Sequence, residues 1–214
     1  MDYILFDLDG TITNPKLGIT KSFQYALNSR GIVIENLDDL TKHIGPPMHQ
    51  SMKEYGFNDE EAIELIDKYR EYYSVTGIYE NEVYEGMEEL FQRLKQSGKK
   101  LYTATSKPEQ FAKIIMEHFG LDLYFDDICG ATMDSSRSEK ADVIRYALEK
   151  NGITDLSKVV MIGDRKHDIE GANKVGIASI GVLFGYGSRQ ELTIAGADRI
   201  ASTVDEIFDL IMDM

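Results

Sequence analysis

Short apolar runs alternate along much of the chain with stretches in which apolar residues return every three or four positions. The runs Tyr3–Asp7, Lys100–Thr105, Asp127–Cys129, Val159–Gly163 and Ser179–Leu183 predict strands. Between them, PEQFAKIIMEHFG sets Phe111, Ile114, Ile115 and Phe119 on one helical face, opens with Pro108 in a favoured first-turn position and stops at Gly120. SEKADVIRYALEKNG repeats the pattern with Val143, Ile144, Ala147 and Leu148, closing at Asn151-Gly152. Helices alternating with strands that are apolar almost throughout predict an α/β fold, a Rossmann-like doubly wound parallel sheet covered on both faces.

Residues 16 to 83 break this alternation and read as helices only: Ile19 to Ser29, Asn36 to His43, Pro47 to Tyr55 and Asn58 to Tyr73. The last carries Ala62, Ile63, Ile66 and Tyr69 at helical spacing. The expected organisation is an α/β core from residues 1–15 and 84–214, with a helical cap, 16–83, inserted after the first strand. Gly45-Pro46-Pro47 should force a bend between two cap helices.

The chain has 214 residues, 43% of them hydrophobic, enough for one sizeable core and a small insertion. Its formal charge of −14 argues against binding a nucleic acid polymer through many phosphate contacts. No apolar run approaches membrane-spanning length and no leader pattern precedes Tyr3, so a cytoplasmic protein that does not enter a membrane is expected. Cys129 is the only cysteine, which excludes an intrachain disulfide and reads as a small buried apolar residue. The four histidines lack zinc-protease spacing. Oligomeric state is not legible.

Ligands of open α/β sheets bind beyond the carboxyl ends of the strands, so the residues delivered there matter most. The first strand delivers Asp7 and Asp9, two like charges that at 4 Å repel by roughly 4 kcal/mol in an effective dielectric of 20. TATSKP delivers Thr105 and Ser106 just before a helix N-terminus suited to anions. SEKADV brings Lys140, and MIGDRKHD brings Asp164 and Asp168. Four carboxylates, one lysine and two hydroxyls are too anionic to hold a phosphate unaided. Mg²⁺, which takes carboxylate oxygens and keeps room for phosphate and water, resolves the imbalance.

FDLDGT, TATSK, Lys140 and MIGDRKHD resemble, in order and spacing, the four motifs of the haloacid dehalogenase superfamily of phosphohydrolases, and the inserted helices resemble its helical-cap branch. IGPPMHQSM, GDRKHDIEGANKVGI, GVLFGYGS and ELTIAGAD are similar to stretches of phosphoglycolate phosphatases and related bacterial 5'-nucleotidases or pyrophosphatases. One departure is that the lysine stands in RSEKAD, where many phosphoglycolate phosphatases have Lys-Pro-x-Pro.

The resemblance implies a Mg²⁺-dependent phosphatase acting on a small-molecule phosphate ester. Asp7 would be the nucleophile that forms an aspartyl-phosphate, and Asp9 the general acid and base. Thr105, Lys140 and backbone N–H groups around Gly10 and Ser106 would hold the phosphoryl group. Asp7, the carbonyl of Asp9, Asp164 and Asp168 would surround the metal, Asp168 through water or by holding Lys140. Closure of the cap would exclude water. Thr11 is either a turn residue or part of the site. Tyr72 and Tyr73 are candidates for stacking on a base, while Lys42, His43 and His49 read as a solvated face. Two other functions remain open on the same residues, a phosphomutase and a non-catalytic phospho-accepting domain. The sequence does not name the ester.

Overall fold

The computed structural model describes residues 1–46 and 48–214. In chain order its elements are β1 (Tyr3–Phe6), β2 (Thr13–Asn14), α1 (Lys16–Asn28), α2 (Met48–Lys53), α3 (Asp59–Tyr73), β3 (Glu82–Val83), α4 (Met87–Gln96), β4 (Lys100–Thr103), β5 (Thr105–Pro108), α5 (Glu109–His118), β6 (Gly130–Ala131), α6 (Lys140–Lys150), β7 (Val159–Gly163), α7 (Lys166–Val175), β8 (Ala178–Val182), α8 (Arg189–Ile194), β9 (Arg199–Ala201) and α9 (Val204–Met212). The chain divides into two compact units, Met1–Asn14 with Val83–Met214, and Pro15–Glu82.

In the first unit a parallel sheet runs β4-β1-β7-β8-β9, with Leu5 level with Tyr102 on one side and Met161 on the other. Successive strand residues face opposite ways. Leu5 and Met161 join a buried cluster with Val143 and Ile144 of α6 and Ala172 of α7. Phe6, the next residue, meets Phe91 of α4 edge-on at 5.3 Å. Helices therefore cover both faces, and the α/β expectation holds. Each fully buried ring contributes about 1.5–3 kcal/mol of hydrophobic stabilisation. Because β1 sits between β4 and β7, the strand order reverses at its C-terminal end, where a crevice opens in such sheets.

Two predicted strands differ in extent. Lys100–Thr105 stops at Thr103, and after Ala104 the chain pairs instead with β6 in a separate two-stranded sheet. Asp127–Cys129 is not a strand; its backbone meets β4 in a single bridge, Tyr102 with Asp127, where Thr103 N donates to Asp127 O at 3.2 Å. The reason is a side chain in the place of a ladder: Thr103 Oγ1 accepts from Cys129 N and donates to Cys129 O, both at 2.8 Å. β9 has no counterpart among the predicted strands, since Arg-Ile-Ala is too short to show a period. On α5, Ile114 is exposed and Phe119 half-buried; Phe111, Ala112, Ile115 and Met116 form the inner face.

The unit Pro15–Glu82 is helical around its own aromatic core. Asn58 and Glu61 exchange hydrogen bonds at 3.0 Å in a capping box that starts α3. The inner stripe of α3 is Ala62, Leu65, Tyr69 and Tyr73; Ile63 is exposed and Ile66 half-buried. Ile63 lies about 100° around the helix from Ala62, so one apolar neighbour cannot share the other's face. Phe23 of α1 stacks on His43 at 4.9 Å and meets Tyr69 edge-on. His43 is thus buried, not solvated as expected, and Tyr73 is packed against Tyr69 and unavailable as an exposed stacking surface. Leu37–His43 is a 3₁₀ turn in place of the α-helix predicted there. The predicted helix Pro47 to Tyr55 appears as Met48–Lys53, and Pro47, with the bend assigned to it, lies outside the described residues.

Candidate active site

Asp7 emerges directly from β1, its N–H bonded to Ile162 O of β7 at 2.9 Å. The chain then folds into a tight turn in which Thr11, Ile12 and Thr13 all donate to Leu8 O. Gly10 sits in this turn at φ +88, a conformation open to glycine, and a Cβ there would come within 2.4 Å of Asp164 Oδ2. Its N–H is committed to Thr13 O at 2.7 Å. The role the turn requires of Gly10 is therefore close approach to a carboxylate.

Asp164 follows β7 and is fully buried. Tyr186 N donates to its Oδ2 at 2.7 Å, and Thr11 Oγ1 lies 3.5 Å from its Oδ1. The loop bearing Tyr186 presses close: a Cβ on Gly185 would sit 2.4 Å from Asp164 Cβ and 2.3 Å from Gly10 O. The Tyr186 hydroxyl donates to Asn14 Oδ1, fastening the same loop at its outer end. Asp168, in the first turn of α7, accepts from Arg165 N at 3.0 Å, while Arg165 Nε holds Glu191 at 2.9 Å.

Lys140 opens α6 and is buried, its Nζ 2.9 Å from Asp7 Oδ1, 2.8 Å from Asp168 Oδ1 and 2.9 Å from Ala104 O. The ammonium thus forms ion pairs with two carboxylates and donates a hydrogen bond to one backbone carbonyl. Burial alone would pull an ammonium down, but Asp168 and Asp7 reverse that and hold Lys140 above its ordinary value. Burial pushes Asp164 well above the usual carboxylate range, with Asp168 and Asp7 adding to it. Asp168 is raised to about 6 by burial; Lys140 pulls it back, yet Lys140 is shared with Asp7, which pushes it up.

Asp7, Asp164 and Asp168 each offer an oxygen within 4.8 Å of the others. Three carboxylates against one ammonium leave two negative charges in excess if all are ionised. Buried charges of that kind are paired or coordinate a metal. The donor set, all oxygen and doubly negative, fits a hard divalent cation.

Asp9 does not point into that group: its Oδ2 is 2.6 Å from Lys107 Nζ, a residue the sequence reading passed over. Burial raises the Asp9 carboxyl above its usual range, against the pull of Lys107. Thr105 is buried, its Oγ1 accepting from Lys107 N at 3.2 Å, and Ser106 Oγ lies 3.4 Å from Ser138 O. Tyr186 was the other omission. Both stand inside motifs already singled out, TATSKP and GVLFGYGS, but no sequence signal says which side chain turns inward. Cys129 is buried as expected, its thiol pushed up to about 12 by burial and by Asp127, far from a reactive thiolate.

Residues 4–182 match the haloacid dehalogenase-like hydrolase family. A 5'-nucleotidase of Pseudomonas aeruginosa is 47% identical over 190 residues, 88% of this chain and 86% of that protein. The tyrosine-protein kinase PtkA of Mycobacterium tuberculosis is 39% identical over 207 residues, 95% of this chain and 70% of that protein. A crystal structure of a predicted phosphatase from Clostridium acetobutylicum superposes with a TM-score of 0.96 at 47% identity, covering 100% of this chain and 99% of that one. Fold, motif order and relatives agree: the chain belongs to the haloacid dehalogenase-like hydrolases and stands among their phosphatases.

Proposed function

We propose that the protein is a Mg²⁺-dependent phosphomonoesterase that passes a phosphoryl group through Asp7. The observation that carries this reading is Lys140 bridging Asp7 and Asp168 beside Asp164, a buried anionic group with a cation-sized deficit of positive charge. Asp7 and Asp164, with the carbonyl of Asp9, would hold the ion, and Asp168 would support it through water or by holding Lys140. When bound, Mg²⁺ supplies charge that offsets the phosphate oxygens.

Asp7 attacks phosphorus as the ester P–O bond breaks, and the leaving oxygen takes its electron pair and the proton carried by Asp9. Water then attacks the aspartyl-phosphate, Asp9 takes a proton from it, and Asp7 leaves as carboxylate. Lys140 holds Asp7 in place and, with Thr105 and backbone N–H groups near Ser106, stabilises charge spread over the phosphoryl oxygens. Gly10 lets the loop run close to Asp164.

Nucleoside 5'-monophosphates are the first esters to test, in view of the relative named a 5'-nucleotidase. Phosphate release from such a panel should require Mg²⁺ and cease in excess chelator. Asp7→Asn should abolish turnover while leaving the melting temperature near or above that of the parent, because one buried charge is removed. Turnover undiminished by chelator, or retained in Asp7→Asn, would refute the reading. Phosphotyrosine formed from ATP on a peptide, in preference to free phosphate, would redirect it toward the reaction named for PtkA.

A further inference from the structure

The proposed reaction uses Asp9 as a proton carrier but leaves unexplained the residue that grips it. Lys107 Nζ stands 2.6 Å from Asp9 Oδ2, with side chains only 5% and 13% exposed. Asp9 Oδ1 is also buried but has no hydrogen-bond partner among the described residues. The two oxygens of one carboxyl are therefore unlike, one anchored and one bare.

The anchor is itself held firmly. Lys107 lies in β5, flanked by Thr105 level with Gly130 and by Pro108 level with Ala131. Its N–H donates to Thr105 Oγ1, and Pro108 fixes the backbone that follows. Asp9 is fixed on its own side by the bridge to Thr13. The pair closes across 98 positions of sequence and joins the turn after β1 to the segment after β4. Burying two charges costs several kcal/mol per ion and is recovered only with good geometry, so the pair is a poor device for stability alone. Lys140 already supplies a cation to the neighbouring carboxylates and does not bond Asp9.

We infer that Lys107 is a positioning residue: it binds Asp9 Oδ2 so that the bare Oδ1 is the atom that delivers the proton to the leaving oxygen. This rests on the proposed phosphatase reading and adds to it a division of labour between two lysines. Lys140 orients the nucleophile, and Lys107 orients the acid. As the ester P–O bond breaks, its electron pair stays on the leaving oxygen, which takes the proton from Oδ1; Asp9 becomes a carboxylate still held by Lys107.

The leaving group tests it. A nitrophenolate departs without a proton, whereas an alkoxide needs one, so an orientation fault in the acid shows only with the alkoxide. Lys107→Met and Lys107→Arg are compared with the parent on p-nitrophenyl phosphate and on glycerol 2-phosphate, with Mg²⁺ present. The expected result is a loss of kcat/KM on glycerol 2-phosphate that exceeds the loss on p-nitrophenyl phosphate by about tenfold or more, part of the 10²–10⁴ that proton transfer contributes. Lys107→Arg, which keeps the charge but shifts the donor, should show the same selectivity in smaller measure, and it carries the test if Lys107→Met does not fold. Equal losses on both esters, or no loss on either, overturn the inference and leave the phosphatase reading standing. A parent enzyme that releases phosphate from neither ester, nor from any nucleoside 5'-monophosphate, overturns both.

Discussion

Two clusters of acids and lysines lie in the same unit and share the same residue types, yet they are poised in opposite directions. At the side of β4, Lys150 Nζ is 2.9 Å from Asp127 Oδ2, Asn151 Nδ2 donates to the same oxygen, and Lys113 holds Glu109 at 2.6 Å. Burial works to raise both carboxyls, but it is outweighed at Asp127 by Lys150, Asn151 and Cys129, and at Glu109 by Lys113 and Lys150, so both end below their usual values. Around Asp7 the balance is reversed: burial and mutual repulsion win, and Asp164 and Asp168 end above theirs. The first cluster has cations enough for its anions and closes on itself. The second is deficient in positive charge, which costs stability and is the property a cation-dependent phosphoryl site needs.

The sharpest way to break the comparison is to remove one lysine from each cluster. Lys140→Met strips the sole ammonium bonding Asp7 and Asp168 and leaves their charges buried without it, which should destabilise by about 3–5 kcal/mol in chemical denaturation at neutral pH. Phosphatase activity should fall below detection. Lys150 is about one-third exposed, and Asn151 remains on Asp127, so Lys150→Met should cost only about 0–1 kcal/mol, screened by water, with activity retained. Equal costs at the two positions would show that the clusters do not differ as described.

How much of this was legible beforehand follows from what each residue must do. Asp7, Lys140, Asp164 and Asp168 were readable because each stands at a strand or helix end, where side-chain type alone constrains the chemistry, and the structure brings their polar groups together. The strands β1, β7 and β8 are readable because both sheet faces are covered and nearly every residue is apolar, Ser179 of β8 being buried with Asp198 as its partner. The segment Asp127–Cys129 was not, because whether Thr103 bonds as a side chain or a neighbouring strand forms a ladder is decided by tertiary contact. Ile63 and Ile114 face outward although the pattern includes them, because hydrophobicity gives a stripe about 100° wide and leaves its edges undecided. Lys107 and Tyr186 act through geometry across 98 and 22 positions, which no local pattern encodes.

The second prediction concerns the loop that clamps the deficient cluster. Gly185→Ala places a methyl against Gly10 O and Asp164, so the loop, Asp164 or both must shift. Overpacking of this kind costs about 1–3 kcal/mol. Loss of the Tyr186 N–H on Asp164 should weaken the apparent Mg²⁺ affinity by about 10–100-fold, read from activity against free Mg²⁺. Unchanged Mg²⁺ dependence would show that the loop does not orient Asp164.

A third prediction separates the clusters by pH. Asp168 moves from the ordinary 3.8 to about 6, and Asp164 is also raised, so the native state without metal holds more protons than the unfolded chain between those values. Their contribution to stability is therefore present at low pH and declines as pH rises from about 4 through about 6. A cation must displace those protons, so its affinity grows over the same range. The melting temperature gained on adding Mg²⁺ should be small at pH 5 and larger at pH 7.5, and Asp168→Asn should flatten the difference. A gain independent of pH would place the metal elsewhere.

The smallest effect belongs to the balanced cluster. Cys129 donates to Asp127 Oδ2 at 3.3 Å, and its thiol is pushed up to about 12, so at neutral pH the thiolate population is negligible and the sulfur is buried besides. A thiol reagent such as dithiobis-nitrobenzoate should react with the native protein no faster than the protein unfolds, and at once in denaturant. Cys129→Ala removes that donor from an acceptor that keeps Lys150 and Asn151, and should leave Mg²⁺-dependent turnover within about twofold, since the sulfur bonds Asp127 and Asn151 and none of the carboxylates around Lys140. Rapid native labelling, or a large loss of turnover in Cys129→Ala, would mean that the edge cluster communicates with the acidic site and that the division between closed and deficient clusters is false.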